Sequence, residues 1–477
     1  MLDKVINGIS SFNQIGMSIF WCNVNFFGQT QIPLILFIGL MGCFYFLFKL
    51  RFNCITYSIH SLRLLLGSGG HGSSIENEKK SISSCRALFT SIAGAAGLGN
   101  IAGIVIGVSI GGPGVVFWIL IASILCMPLR FAEVFLGHKY RFSENGEYQG
   151  GPYWYMKHGL AKLNLPKLGS FLAVSYGVIL IISAYGGPSS FQTNQAVKII
   201  TSSFDMPSYA KYIASGVLSG FVFFITFGGI KRVGQYCSSA VMFFMSMYFV
   251  ISVIVLVYHH ALIPECFQVI MQFAFSKSAA YGGVVAVFIM AFQRLQLANE
   301  TGFGTAASIH SNSTQNNSIK EALIAMICPV IDAVFVCFIT GIIVIISGAF
   351  LKPELEGIIV VQEALKSVHP YLGYFLTISI PLVAMNVMIA WSYYGVKNLE
   401  FITKTKKLST LYLLTFAIAG FIGGIIDNLK LFVDFCNVLS FALLLPNIIA
   451  IILMRKEVYT AWNQYVLNFK YKNDKNK

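Results

Sequence analysis

Apolar residues run in long blocks along this chain, and polar residues gather between the blocks. Stretches of roughly 18 or more residues with few charges, enough for a helix to cross a bilayer, lie near 31 to 50, 86 to 108, 112 to 137, 168 to 198, 209 to 227 and 238 to 259. Five more lie near 279 to 309, 320 to 349, 371 to 396, 408 to 427 and 432 to 453. The pattern predicts an all-α polytopic membrane protein of about 11 transmembrane helices. Residues 1 to 30 lack a basic leader region and a cleavage site, so they read as an interfacial amphipathic segment that stays attached. Gly67 to Ser84, rich in Gly, Ser and charge, reads as a solvated loop, and Lys470 to Lys477 as a frayed tail.

Composition agrees with a membrane body. Of 477 residues, 56% are apolar and 11% charged, against about 25% charged in a soluble domain. The net charge is +14, but the cations form no aromatic-interleaved patch, which excludes nucleic acid as a partner. Their placement sets the orientation instead. With an odd number of spans and a cationic C-terminal tail, the N-terminus lies outside and the C-terminus in the cytoplasm, and 24 of the 33 Lys and Arg then fall on the cytoplasmic side. The ten Cys carry no Cys-x-x-Cys spacing and read as small buried hydrophobes. His-Glu-x-x-His, Gly-x-Ser-x-Gly and phosphate-loop sequences do not occur, so the chain is expected not to be an enzyme, with no cofactor and no metal beyond a coupling ion.

Two apolar stretches are interrupted. The second contains Gly94-Ala-Ala-Gly97-Leu98-Gly99-Asn100, and the seventh Asn299-Glu300-Thr301-Gly302-Phe303-Gly304-Thr305. Glycine at mid-span lets the backbone leave helical dihedrals, and the freed N–H and C=O groups need polar partners in hydrocarbon. Gly99, Gly103 and Gly107 also fit a small-xxx-small packing face. A pair of such interruptions at matching places in two halves points to a transporter built from inverted repeats and binding at the midplane. On this reading the half-helices starting at Asn100 and near Thr305 offer N–H groups to a carboxylate. The carbonyls around Gly94 to Gly97 and Asn299 to Gly302 suit an ammonium or sodium. Gln192 either adds an amide donor or makes an isolated interhelical bond.

Ionisable residues inside the spans are Arg130, Glu133, Arg294, Glu300 and Asp332. Arg130 and Glu133 are expected to snorkel to the cytoplasmic end. Arg294, about 12 Å from Gly302 along a helix, is expected in the outer vestibule. Glu300 and Asp332 either neutralise Arg294 or line a cation path.

At these residues the sequence resembles the alanine or glycine:cation symporters, which share the leucine-transporter fold. The resemblance rests on Gly97-Leu-Gly-Asn-Ile-Ala-Gly103, Gly111-Gly-Pro-Gly-Val-Val-Phe-Trp118, Phe131-Ala-Glu133, Gly146-Glu-Tyr-Gln-Gly-Gly-Pro152, Phe227-Gly-Gly-Ile-Lys-Arg232, Asn299-Glu-Thr-Gly-Phe-Gly304 and Trp391-Ser-Tyr-Tyr-Gly395. It implies sodium-driven uptake of a small neutral amino acid, alanine or glycine, across the cell (inner) membrane. The implied substrate-binding residues are Gly97, Leu98, Gly99, Asn100, Gln192, Gly302, Phe303, Gly304, Thr305 and Trp391, and the cation-binding residues Gly94, Gly97 and Asn386. The resemblance also implies a peripheral first helix (31 to 50) and two inverted repeats (86 to 259 and 279 to 453), followed by a tail (454 to 477). The chain departs from the family pattern where Leu98 replaces a Thr, and where Asn386 and Val387 replace a Ser/Thr pair. Ser238 and Met242 also replace a Glu and a Pro. An uncoupled or proton-coupled carrier, or a sensor or channel on the same fold, are the alternatives these departures leave.

Overall fold

The computed structural model describes residues 2–26, 30–68, 82–95, 97–144, 147–276 and 283–475. Among the described residues, each of the eleven apolar stretches is mainly helical. Six helices are long and apolar enough to cross a bilayer unaided: Val115–Lys139, Pro166–Ser203, Arg232–Tyr258, Ser318–Ser347, Pro370–Thr403 and Lys430–Leu453. Ser84–Ala95 and Leu98–Gly111 make a seventh crossing if taken together, bent by 46°. Leu34–Lys49, Ala210–Thr226, Val284–Asn299 and Ser409–Ile425 are apolar but shorter. At 1.5 Å per residue, 16 residues reach only about 24 Å. Two short antiparallel hairpins, Asn23–Phe26 with Thr30–Pro33 and Phe142–Glu144 with Glu147–Gln149, qualify the all-helical expectation.

One irregular stretch coincides with glycine and proline. Tyr185–Phe191 is a π-helical stretch containing Gly186, Gly187 and Pro188. Pro188 has no N–H to give, and the widened turn rotates the residues after it relative to a straight helix. It places Gly187, Pro188, Phe191 and Gln192 on one cavity wall.

The N-terminal helix Leu2–Phe20 lies against Leu429–Ala442. Asn13 Nδ2 donates to the Leu431 carbonyl at 3.0 Å, and Phe12 meets Phe435 edge-on at 5.5 Å. Ile15 and Ile19 on the same helix remain exposed. At the other end of the chain, Arg455–Lys475 is one helix. The fraying expected from Lys470 therefore does not occur as far as Lys475. That helix packs on residues before the second apolar stretch: Trp462 meets Tyr57 at 5.5 Å, and His60 Nε2 is 2.8 Å from the Tyr465 hydroxyl. Most of the loop expected between Gly67 and Ser84 lies outside the described residues.

Where four helix ends converge, a buried polar clasp joins them. Glu321 receives Ser84 Oγ at 2.6 Å and contacts His310 Nδ1 at 2.6 Å, while His138 Nδ1 lies 2.9 Å from Ser318 Oγ. Arg141 donates to the carbonyls of Ser311, Ser313 and Gln315. The clasp fixes the ends of both interrupted segments and leaves their middles to the site.

Candidate site at the two helix breaks

The first interruption is real but slightly earlier than expected. Ser84–Ala95 stops, Gly97 is extended (φ −97°, ψ −154°), and the next half-helix begins at Leu98 rather than Asn100. Its first N–H, from Leu98, goes to Gln192 Oε1 at 3.3 Å. Gln192 comes this close because residue 97 is glycine: a Cβ there would lie 3.0 Å from the Gln192 amide nitrogen and would clash with Val387. Asn100 is wholly buried. With its amide turned to meet two acceptors, its Nδ2 donates to Ala298 O at 2.9 Å and Ala95 O at 3.3 Å. One side chain thus ties together the preceding halves of both broken helices.

The second interruption is built differently. Val284–Asn299 ends in Glu300, which takes a left-handed conformation at φ 57°. Gly302 and Gly304 follow at φ 93° and 83°, which side chains rarely adopt, and Thr305–His310 resumes the helix. The freed carbonyls were expected to await a ligand, and protein side chains already meet them. Arg130 Nη2 donates to Asn299 O, Gln296 Nε2 to Thr301 O (3.2 Å), Asn447 Nδ2 to Gly302 O (2.8 Å) and Tyr176 Oη to Phe303 O (2.8 Å). The Gly304 N–H donates to Glu133 Oε1 at 3.2 Å, so the turn before Thr305 is not an open anion site. Asn447 also donates to Glu133 Oε1 at 2.8 Å and accepts from the Tyr155 hydroxyl.

Arg130 and Glu133 therefore do not snorkel. They are 1% and 0% exposed, pair at 3.9 Å, and hold the second break from the neighbouring helix. Nor is Glu300 a partner for Arg294. Its Oε1 accepts the Trp391 indole N–H at 2.7 Å and its Oε2 the Thr305 hydroxyl. Asp332 is fully buried, its nearest polar contact being Cys328 Sγ at 3.9 Å. Among the described residues no group of three or more His, Cys, Asp or Glu could hold a metal ion.

A cavity of about 70 Å³ opens on the first break and on one face of the second. Of the residues named from sequence, Gly94, Gly99, Gln192, Phe303 and Trp391 line it. Gly97, Leu98, Asn100, Gly302, Gly304, Thr305 and Asn386 do not line it; they sit behind the wall and shape it. Arg294, placed by sequence outside the site, lines the cavity, as do Glu300, Asn437 and Ser440. At the wall, the Gly94 carbonyl receives no bond from Leu98, whose N–H is taken by Gln192. Both polar atoms of the Asn386 amide are buried without a partner. Sequence reading missed Asn447, Tyr155, Tyr176 and Gln296 altogether. Its only signal was the Arg130 and Glu133 charges, which mark the helix that braces the second break.

The cavity is thus lined by Gly99 and the Gln192 amide at one break, by the Glu300 carboxylate at the other, and by the aromatic rings of Phe303 and Trp391. Known proteins are similar to this chain in sequence and, separately, in overall fold. The chain is 30% identical over 401 residues to the sodium/alanine symporter AgcS of Methanococcus maripaludis, covering 83% of this chain and 87% of that one. It is 29% identical over 425 residues to the probable sodium/glutamine symporter GlnT of Bacillus subtilis, covering 88% and 85%. The manganese transporter of Eremococcus coleocola has the same overall fold, with a TM-score of 0.51 at 12% identity over 79% of this chain and 82% of that one. The sodium:alanine symporter family model matches residues 17–477, and this multi-pass membrane protein, with its leucine-transporter-like fold and two interrupted helices, belongs to that family.

Proposed function

We propose that this protein imports a small neutral amino acid, alanine or glycine, by alternating access with sodium as the coupling ion. The reading is carried by one observation: the cavity ends on a helix break that is only partly occupied by protein. Gly99, just inside the half-helix Leu98–Gly111, lines the cavity, and a substrate carboxylate there meets the positive end of 14 aligned peptides. Gln192, held by the Leu98 N–H through its oxygen, has its amide nitrogen free to donate to the same carboxylate. The ammonium is placed near Glu300, and Phe303 and Trp391 limit the side chain. Gly97, Leu98, Asn100, Gly302, Gly304 and Thr305 act as the frame that holds these contacts.

Sodium is assigned to the Gly94 carbonyl and to Asn386 Oδ1, which is buried without a partner, with Gly97 giving the backbone its turn. Ion and substrate then couple because each favours a conformation the other also favours. In this reading the N-terminus and the interfacial helix lie outside the cell membrane and the C-terminal tail inside. Residues 86 to 259 and 279 to 453 move as two inverted repeats, with the helix at 31 to 50 at the periphery.

Uptake of labelled alanine and glycine into proteoliposomes, with and without an inward sodium gradient, tests the proposal. Accumulation that requires sodium is expected, and gradient-independent accumulation removes the ion from the mechanism. Val387 favours one second reading. It packs against Gly97 without a hydroxyl where the family carries one, while Glu300 offers a cavity carboxylate. Under that reading a proton gradient replaces sodium as the driver in the same vesicles.

A further inference from the structure

Arg294 stands apart from the buried Arg130 and the half-buried Arg141. Arg130 reaches the Asn299 carbonyl and Glu133, and Arg141 reaches three carbonyls. Arg294 is only 8% exposed and lines the cavity, yet among the described residues it donates no hydrogen bond and forms no ion pair. Its Nε is enclosed without an acceptor. The carboxylate six residues on, Glu300, is already engaged by Trp391 and Thr305. With Nε enclosed and no protein acceptor among the described residues, the guanidinium is left to be met by whatever occupies the cavity.

The surroundings keep the group in place. The Arg294 stem lies over Gly107, where an added Cβ would come within 3.2 Å of Arg294 Cγ. Asn437 lines the same cavity, and its Oδ1 has no partner among the described residues. Arg294 enters the cavity from the half-helix before the second break, and its Cγ lies near Gly107, about 12 Å along the first broken helix from Gly99. The guanidinium thus comes from a different element than the Gly99 and Gln192 pair.

We propose that Arg294 is a second carboxylate-binding point in this cavity. It accepts a planar carboxylate through its fork and repels solutes with a cationic side chain. The carboxylate comes either from the α-group, docked before it moves to the break, or from an acidic side chain while the α-group occupies the break. The inference rests on the reading that the cavity receives an amino acid.

The test measures ligand-dependent thermal stabilisation of the purified full chain and of Arg294→Gln. The probes are alanine, alaninamide, aspartate, lysine and succinate. In the variant the half-saturating concentration of carboxylate ligands is expected to rise roughly tenfold or more, with alaninamide unaffected. Loss for both alanine and aspartate assigns the α-carboxylate; loss for aspartate with alanine unchanged assigns the side-chain carboxylate. Lysine is expected to stabilise the variant more than the wild type. Succinate, which lacks an amino group, reads the anion point alone: if no amino acid stabilises the wild type, the transport reading fails while succinate still tests Arg294. Equal succinate midpoints in wild type and variant, or an equal change for alaninamide, overturn the proposal. Arg294→Lys retains the charge without the fork and is expected to restore part of the succinate response. It also supplies the measurement if Arg294→Gln does not fold, and a Lys variant matching the wild type for every probe then overturns the proposal.

Discussion

Trp391 donates its indole N–H to Glu300 at 2.7 Å, joining a helix in the second half of the chain to the left-handed residue that opens the second break. Trp391→Phe keeps the ring and removes the donor, leaving a buried carboxylate oxygen short of one bond. A loss of about 1–3 kcal/mol in stability is expected, read as a lower unfolding temperature in detergent. Glu300→Gln in the Trp391→Phe background should add less than the sum of the two single changes, because both remove the same contact.

The glycines at the two breaks should differ in what they tolerate. Alanine at Gly302 would carry a side chain at φ 93° and collide with Leu444; at Gly304 it would sit at φ 83° and 2.6 Å from Pro152 Cγ. The backbone penalty alone is about 1–2 kcal/mol, so both variants should yield less monodisperse protein on size exclusion. Gly103 lines the cavity with nothing within 4 Å of an added Cβ. Gly103→Ala should fold normally and narrow the cavity, weakening uptake of the larger of two substrates first.

Asn447 meets Glu133, the Gly302 carbonyl and Tyr155 at once. Asn447→Ala leaves these groups short of a partner, each worth about 1–3 kcal/mol when buried. Asn447→Asp should not rescue it, because a second carboxylate beside Glu133 cannot donate. Unfolding temperatures of the two variants check this directly.

Acid should loosen the contact between His60 and the C-terminal helix. Burial, then the positive charges of Arg63 and Lys320, hold the His60 imidazole below its ordinary value, and burial pushes its Tyr465 partner up to about 12. The phenol thus stays a donor while the folded chain resists protonating the ring more than the unfolded chain does. This contribution is fully present above the ordinary histidine value, about 6.5, and is lost as pH falls below it toward the depressed folded value. Unfolding temperatures between about pH 5 and 8 should decline on the acid side in the wild type, and less in His60→Gln.

Much of the architecture was legible in the sequence because a bilayer imposes long apolar blocks, and among the described residues those blocks are mainly helix here. Both breaks were legible too, since Gly-x-Gly in hydrocarbon has few other uses. What surrounds the second break was not. Asn447, Tyr155 and Tyr176 lie far apart in sequence, and nothing local to any of them says which carbonyl it will meet. Arg130 and Glu133 were visible as charges, but their distance from the helix end suggested reach toward water rather than toward Asn299 and Gly304. Arg294 was misplaced for a related reason: counting residues along one helix gave its height and not the cavity it shares with Asn437. The tail resembled a loose end because its charge pattern does not reveal that Trp462 and Tyr465 find Tyr57 and His60.

The unequal dressing of the two breaks bears on how inhibitors should be sought. An elbow already clothed by Arg130, Gln296, Asn447 and Tyr176 offers a newcomer nothing to grip, whereas its counterpart at Gly99 is left half bare. Compounds designed against the bare elbow have a polar foothold. Those aimed at the clothed one must first undress it.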